Sequence, residues 1–163
     1  MELHMHSHRW EARKPDWRAA AASGFVAGAI LMVLELLWTT NLIGATPWTM
    51  PHMIAAIAMG PQVLEPHDFN LAVIVVALIT HYVLGMVFGL ILGAIIAPFH
   101  FDSSAGMALA VGAAFGLMLY LLNFYGMAHV FPWFAQMRGW ATVIAHLIFG
   151  MSAAAMYWQL ERP

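Results

Sequence analysis

The sequence predicts an all-α fold, a bundle of four transmembrane helices, and three observations carry that prediction. Hydrophobic residues make up 63% of the 163 positions and charged residues only 9%, well outside the soluble balance of about half apolar and a quarter charged. Four apolar stretches reach the roughly 20 residues that a helix needs to cross the hydrocarbon of a bilayer. None of them alternates with the period of two that a barrel strand requires, so helices are the consistent way to satisfy the backbone in lipid.

In chain order, residues 1–18 form a His-rich tail and residues 19–163 a single transmembrane domain. The first helix is expected near Ala19 to Leu42 and the second near Leu71 to Ala97. The long connection between them holds an apolar segment, Thr49 to Gly60, bounded by Pro51 and Pro61, which reads as a short helix at the membrane surface. The third helix is expected from Ala105 to Met127 and the fourth from Trp140 to Tyr157. Arg9, Arg13, Lys14 and Arg18 precede the first helix and Arg162 follows the fourth, leaving Arg138 alone in an outer loop. That five-to-one bias places both termini in the cytoplasm. A cleaved leader is not expected, because Glu35 interrupts the apolar run and no A-x-A site follows it. Trp38, Trp48, Trp133 and Trp140 fall near the outer interface, where indoles act as anchors.

Composition also excludes whole classes of function. A formal net charge of -2 offers no basic field for nucleic acid. With no cysteine, disulfides, thiolate metal sites and covalently attached haem are all out of reach. Any metal or cofactor must therefore rely on His, Met, Glu or Asn.

The second half of the chain echoes the first, a pattern that precedes any reading of motifs. Gly24, Gly28, Leu31, Leu34 and Glu35 match Gly112, Gly116, Leu119, Leu122 and Asn123 at one constant offset. HYVLGM, from His81 to Met86, matches HLIFGM, from His146 to Met151. Two parallel repeats, about 19–97 and about 105–160, are the expectation, each a pair of helices.

Helical spacing sets Gly24 and Gly28 on the face of Glu35, Gly112 and Gly116 on that of Asn123, Gly85 and Gly89 on that of His81, and Gly150 on that of His146. Small residues at such spacing mark faces where membrane helices approach closely, so the faces are expected to meet inside the bundle. At about 1.5 Å per residue, Glu35 lies about 25 Å from Arg18 and His146 about 12 Å from Arg138, which brings the polar residues to overlapping depths. Glu35, His81, Asn123 and His146 thus form a candidate layer with several uses open to it. They can be hydrogen-bonding glue, a path or site for a proton, cation or metal ion, or, through His81 and His146, a paired ligand set for haem b. For haem, the glycine four residues after each His would leave room for a flat macrocycle. His4, His6 and His8 in the tail make a weaker metal candidate, of a kind more often disordered than binding.

Two loop segments, ATPWTMPHMIAAIAMGPQVL (Ala45 to Leu64) and LLNFYGMAHVFPWFAQMRGW (Leu121 to Trp140), resemble those of a family of small, uncharacterised four-helix proteins of bacterial inner membranes, some of which carry transporter-like labels. The resemblance implies location and architecture and brings no activity with it. No nucleophile elbow, phosphate loop or H-E-x-x-H occurs in the chain. The expectation is accordingly a non-catalytic protein, an accessory or assembly subunit of a larger membrane complex such as a respiratory one, partnered by lipid and by other subunits or further copies of itself. The alternative is a small oligomeric proton or cation transporter, or a haem- or metal-binding module, built on the polar layer.

Overall fold

The computed structural model describes residues 13–41, 45–66 and 68–161, and every regular element among them is helical. Most of the tail, with His4, His6 and His8, lies outside the described residues. Five α-helices follow one another: α1 (Trp17–Asn41), α2 (Thr49–Met59), α3 (Leu71–Phe99), α4 (Ala105–Leu121) and α5 (Trp140–Leu160). Four spans, Trp17–Thr39, Leu71–Phe99, Ala105–His129 and Trp140–Leu160, are long and apolar enough to cross a membrane. Burial points the same way. Only 17% of the most apolar stretch of α3 is buried within the protein, while Ile79, Val83, Val87 and Ile91 lie exposed along it. Water would penalise so continuous an apolar face, and lipid does not.

Polar side chains fix where the helices begin. Asp16 accepts hydrogen bonds from the backbone N–H groups of Arg18 at 2.9 Å and Ala19 at 3.0 Å, satisfying donors that the first turn of α1 would leave unpaired. Asn70 does the same for α3 through Ala72 and Val73, and Ser104 for α4 through Met107. Between α3 and α4 the chain reverses at His100, whose φ of 54° is in the left-handed region and closes the helix.

The third span departs from the continuous α-helix expected to Met127. Regular α-helix ends at Leu121, and the chain continues as a π-helical turn over Leu122–Gly126 and a 3-10 turn over Met127–His129. Arg138 supports the wider turn from the following loop: its Nε donates to the Phe124 carbonyl at 2.7 Å, and its guanidinium lies 4.4 Å from the centre of the Tyr125 ring. Such insertions re-aim side chains within a helix, and this one carries Asn123.

Packing runs through two glycine crossings. Where α1 meets α3, a Cβ on Gly24 would strike the Gly85 carbonyl oxygen and come within 2.9 Å of Gly89 Cα. Where α4 meets α5, a Cβ on Gly112 would strike the Gly150 carbonyl oxygen and come within 2.7 Å of Ala154 Cβ, and one on Gly116 would strike the His146 carbonyl. Backbone therefore lies on backbone at both crossings. Contacts between α1 and α5 join the two pairs, with Ala20, Ala27, Leu92, Ile96, Phe115, Phe149, Ala153 and Tyr157 in the core between them. A two-fold relating the pairs would bring α3 against α4 as closely as α1 lies against α5. Instead α3 and α4 touch sparingly, and the bundle is looser on that side.

Short helix α2 packs on α3 and buries Met50, Met53, Ala55 and Ala56. Trp133 holds it from the other side, its Nε1 donating to the Met53 carbonyl at 3.1 Å. Trp133 is thus a buried clamp between the two long connections, where the sequence alone suggested an interfacial anchor.

The crossings separate two glycines that look alike in sequence. Gly28 is not tight, because a Cβ there would meet His81 Nε2 at 3.7 Å, an ordinary contact. Gly24→Ala and Gly112→Ala are expected to cost about 1–3 kcal/mol by forcing packed backbone apart, whereas Gly28→Ala stays within about 1 kcal/mol of the parent, helped by the better helix propensity of alanine. Thermal melting of the three variants in one mild detergent checks the ordering. Equal melting temperatures for Gly24→Ala and Gly28→Ala would contradict the close crossing.

Candidate functional site

The looser side of the bundle contains a cavity of about 290 Å³. Gly28, Leu31 and Glu35 contribute from α1, His81, Leu84 and Phe88 from α3, Leu119 and Asn123 from α4 and its π-helical turn, and His146 and Phe149 from α5. Met50, Met53 and Ile57 of α2 and Phe134 and Met137 of the second connection close its end. All four residues of the candidate polar layer line this one space. Apart from them the lining is almost wholly Met, Leu, Ile and Phe.

They do not form one hydrogen-bonded network. His81 Nε2 lies 2.8 Å from the Gly28 carbonyl oxygen, an atom that only accepts, so Nε2 carries a proton, and in the neutral form of the ring Nδ1 keeps its lone pair. His146 Nδ1 lies 2.9 Å from the Thr142 carbonyl oxygen and must likewise donate. That leaves His146 Nε2 as an acceptor, and Asn123 Nδ2 donates to it at 3.5 Å. Rings of Phe124 and Tyr120 flank His146 edge-on, with centroids 5.3 and 6.1 Å away. His146 is buried, whereas Glu35, His81 and Asn123 are half-buried. Among the described residues, nothing hydrogen-bonds or ion-pairs with the Glu35 carboxyl group.

Haem does not fit this arrangement. Gly85 and Gly150, the positions that would have to stay open to a macrocycle, are covered by α1 and α4 at the crossings. His81 Nε2 is committed to the Gly28 carbonyl. Nor, among the described residues, do three His, Cys, Asp or Glu side chains come together as a set that could hold a metal ion.

A second cavity, about 320 Å³, lies between α1, α2 and α3. Met32, Val33, Leu36, Trp48, Ile74 and Leu78 line it, and Glu35, Met50, Ile54 and His81 belong to both cavities. Glu35 and His81 therefore stand in the partition between the two spaces. Neither cavity nor the methionines at their end could be read from helix periodicity, because α2 and the second connection reach them from loops.

At the opposite end of the bundle is a polar junction that sequence reasoning missed. Arg13 pairs with Asp102 in the α3–α4 turn and with Glu161 at 2.6 Å, just after α5. The Tyr157 hydroxyl accepts from the Asp16 N–H at 3.2 Å. The segment leading into α1 is so tied to both hairpins, through residues more than 80 positions apart that carry no local motif.

Comparison with protein-family models, with curated proteins and with solved structures finds no match. The residues and their geometry are the ground for a functional reading.

Burial, and after it the neighbouring Asp102 carboxyl, hold the Glu161 carboxyl above its ordinary value. A carboxyl group raised on folding binds protons more readily in the native state, so stability falls as pH rises from the unfolded value near 4.5 through the raised one. Melting followed from pH 4 upward is expected to show this loss, and Glu161→Gln to flatten it, because the amide does not titrate. An unchanged slope in the variant would place the titration elsewhere.

Proposed function

We propose that the chain is a non-catalytic, multi-pass protein of the bacterial inner membrane, an accessory module of a larger membrane assembly that holds a small apolar molecule inside its bundle. One observation carries this reading: the cavity of about 290 Å³ with an apolar lining and a few convergent polar groups, the form that small-molecule sites take. Its volume equals that of on the order of ten waters, yet so few lining atoms can hydrogen-bond that an apolar occupant suits it better. An ion-conducting role has less support. Among the described residues, Glu35 is the one carboxylate in the lining, and no ring of oxygens is at hand there to replace an ion's water.

The same proposal extends to architecture. The glycine crossings of α1 with α3 and of α4 with α5 use corresponding residues, Gly24 on Gly85 and Gly112 on Gly150, which favours descent from a duplicated two-helix unit. The loop motifs speak for membership of the small four-helix family. Cytoplasmic termini follow from the Lys and Arg bias, with α2 at the outer interface. Reporter fusions after Pro61 and at Pro163 should then give opposite signals, and equal signals would refute the topology.

Ligand binding is tested with radiolabelled decanol as a neutral apolar probe in a non-ionic detergent. Saturable binding of one probe per chain is expected, lost in Leu119→Trp and in Ile57→Trp, which fill the cavity from its wall and from its end. Two positions guard against one variant failing to fold, and cooperative melting reports folding in each. Absence of saturable binding to the parent protein, or its survival in both folded variants, would overturn the reading.

A further inference from the structure

Resting on that reading of the cavity, we propose that its ligand is a hydrophobic amine, bound with its ammonium group on the Glu35 carboxylate and its apolar body among the methionine, leucine and phenylalanine side chains.

The argument starts from an unbalanced charge. A carboxylate in an apolar, partly closed space is costly unless a cation or several donors face it. The protein supplies neither among its described residues. Arg13 is engaged by Asp102 and Glu161, and Arg138 by the Phe124 carbonyl and the Tyr125 ring. Lys14 and Arg18 belong to the other end of α1, with Arg18 about 25 Å along the helix from Glu35. The two imidazoles that line the cavity spend their N–H groups on the carbonyls of Gly28 and Thr142.

What remains unspent is almost entirely acceptor. Beside the two carboxylate oxygens, the neutral His81 ring keeps the lone pair of Nδ1, and Asn123 keeps its side-chain oxygen together with the one amide hydrogen that it does not give to His146. A ligand rich in acceptors, such as a neutral carbonyl compound, would leave those groups unpaired. An ammonium group brings three N–H donors and the missing charge together. The lining decides the rest of the molecule, because only an apolar body exploits a wall of this composition.

The position of Glu35 also gives such an amphiphile a route. Since Glu35 and His81 line both cavities, the charged head of a molecule lodged between α1 and α3 under α2 can pass to the central space without leaving the carboxylate. The exposed Val33 and Leu36 place the mouth of the second cavity on the apolar outer surface of α1. Entry from the lipid is consistent with that placement.

Decylamine, which is an ammonium ion at neutral pH, and decanol are the paired probes, titrated against the full chain in non-ionic detergent. The parent protein is expected to bind decylammonium about tenfold or more tightly than decanol. Glu35→Gln should bring the two probes within about threefold of each other while decanol binding itself persists, which also shows that the variant is folded. Saturable decanol binding with no preference for the ammonium in the parent protein would overturn this inference and leave the cavity reading standing, as would a preference that survives Glu35→Gln. Failure of both probes to bind saturably would overturn the cavity reading and this inference with it.

Discussion

Backbone lying on backbone at two glycine crossings is the constraint from which the rest of this structure follows. Lipid tails are as apolar as leucine, so a membrane helix gains little by burying leucine against another helix and must be held by close packing. Gly24, Gly85 and Gly89 on one side, and Gly112, Gly116 and Gly150 on the other, allow that approach because they have no Cβ to keep the chains apart. Each crossing fixes the register of its pair. The register of α1 on α3 then sets Glu35 and His81 on the same two cavities, and that of α4 on α5 sets Asn123 beside His146.

What the crossings do not fix is the relation between the pairs, and the cavity arises there. Close packing of α1 with α5 draws one side of the bundle together, while α3 and α4 are left apart beyond their connecting turn. Helix α2 and the Trp133 clamp cover the end of the gap instead of filling it. The ion pairs of Arg13 bind the other end, where the two hairpins meet. A bundle tied at one end and capped at the other can keep an internal space that two symmetric pairs of helices would have closed.

Much of this was legible in the sequence because periodicity in a membrane helix reports directly on its small-residue face. The four spans, the short helix within the first connection and the glycines at the crossings all follow from spacing along one helix at a time. The failures have a common physical origin. The π-helical turn at Leu122–Gly126 depends on Arg138, the burial of Trp133 depends on Met53, and the Arg13 junction depends on Asp102 and Glu161. Each is an agreement between distant segments, invisible to any local pattern. The candidate site was half legible in the same sense: the convergence of Glu35, His81, Asn123 and His146 was within reach of helix faces and depth, but the cavity they line and the separate commitments of the imidazoles to the Gly28 and Thr142 carbonyls were not. The bond of His81 Nε2 to the Gly28 carbonyl, with the covering of Gly85 and Gly150, is what turns the site away from haem.

The contrast between the two pairs bears most directly on function. His81 and His146 each stand four residues before a crossing glycine, and Glu35 and Asn123 each stand eleven residues after one, Gly24 and Gly112, yet the pairs spend their polar groups differently. In the α4–α5 pair the π-helical turn brings the Asn123 amide to the His146 ring, and an aromatic wall of Tyr120 and Phe124 closes around them. That pair satisfies both nitrogens of its imidazole from within. In the α1–α3 pair the imidazole turns to the backbone of the opposite helix, and the carboxyl group at the position corresponding to Asn123 is left facing two cavities. An amide there could have been satisfied as Asn123 is, at no cost in buried charge. A carboxylate retained in that place, with every arginine of the described chain either engaged or far away, is poorly explained by packing and well explained by a ligand that completes it.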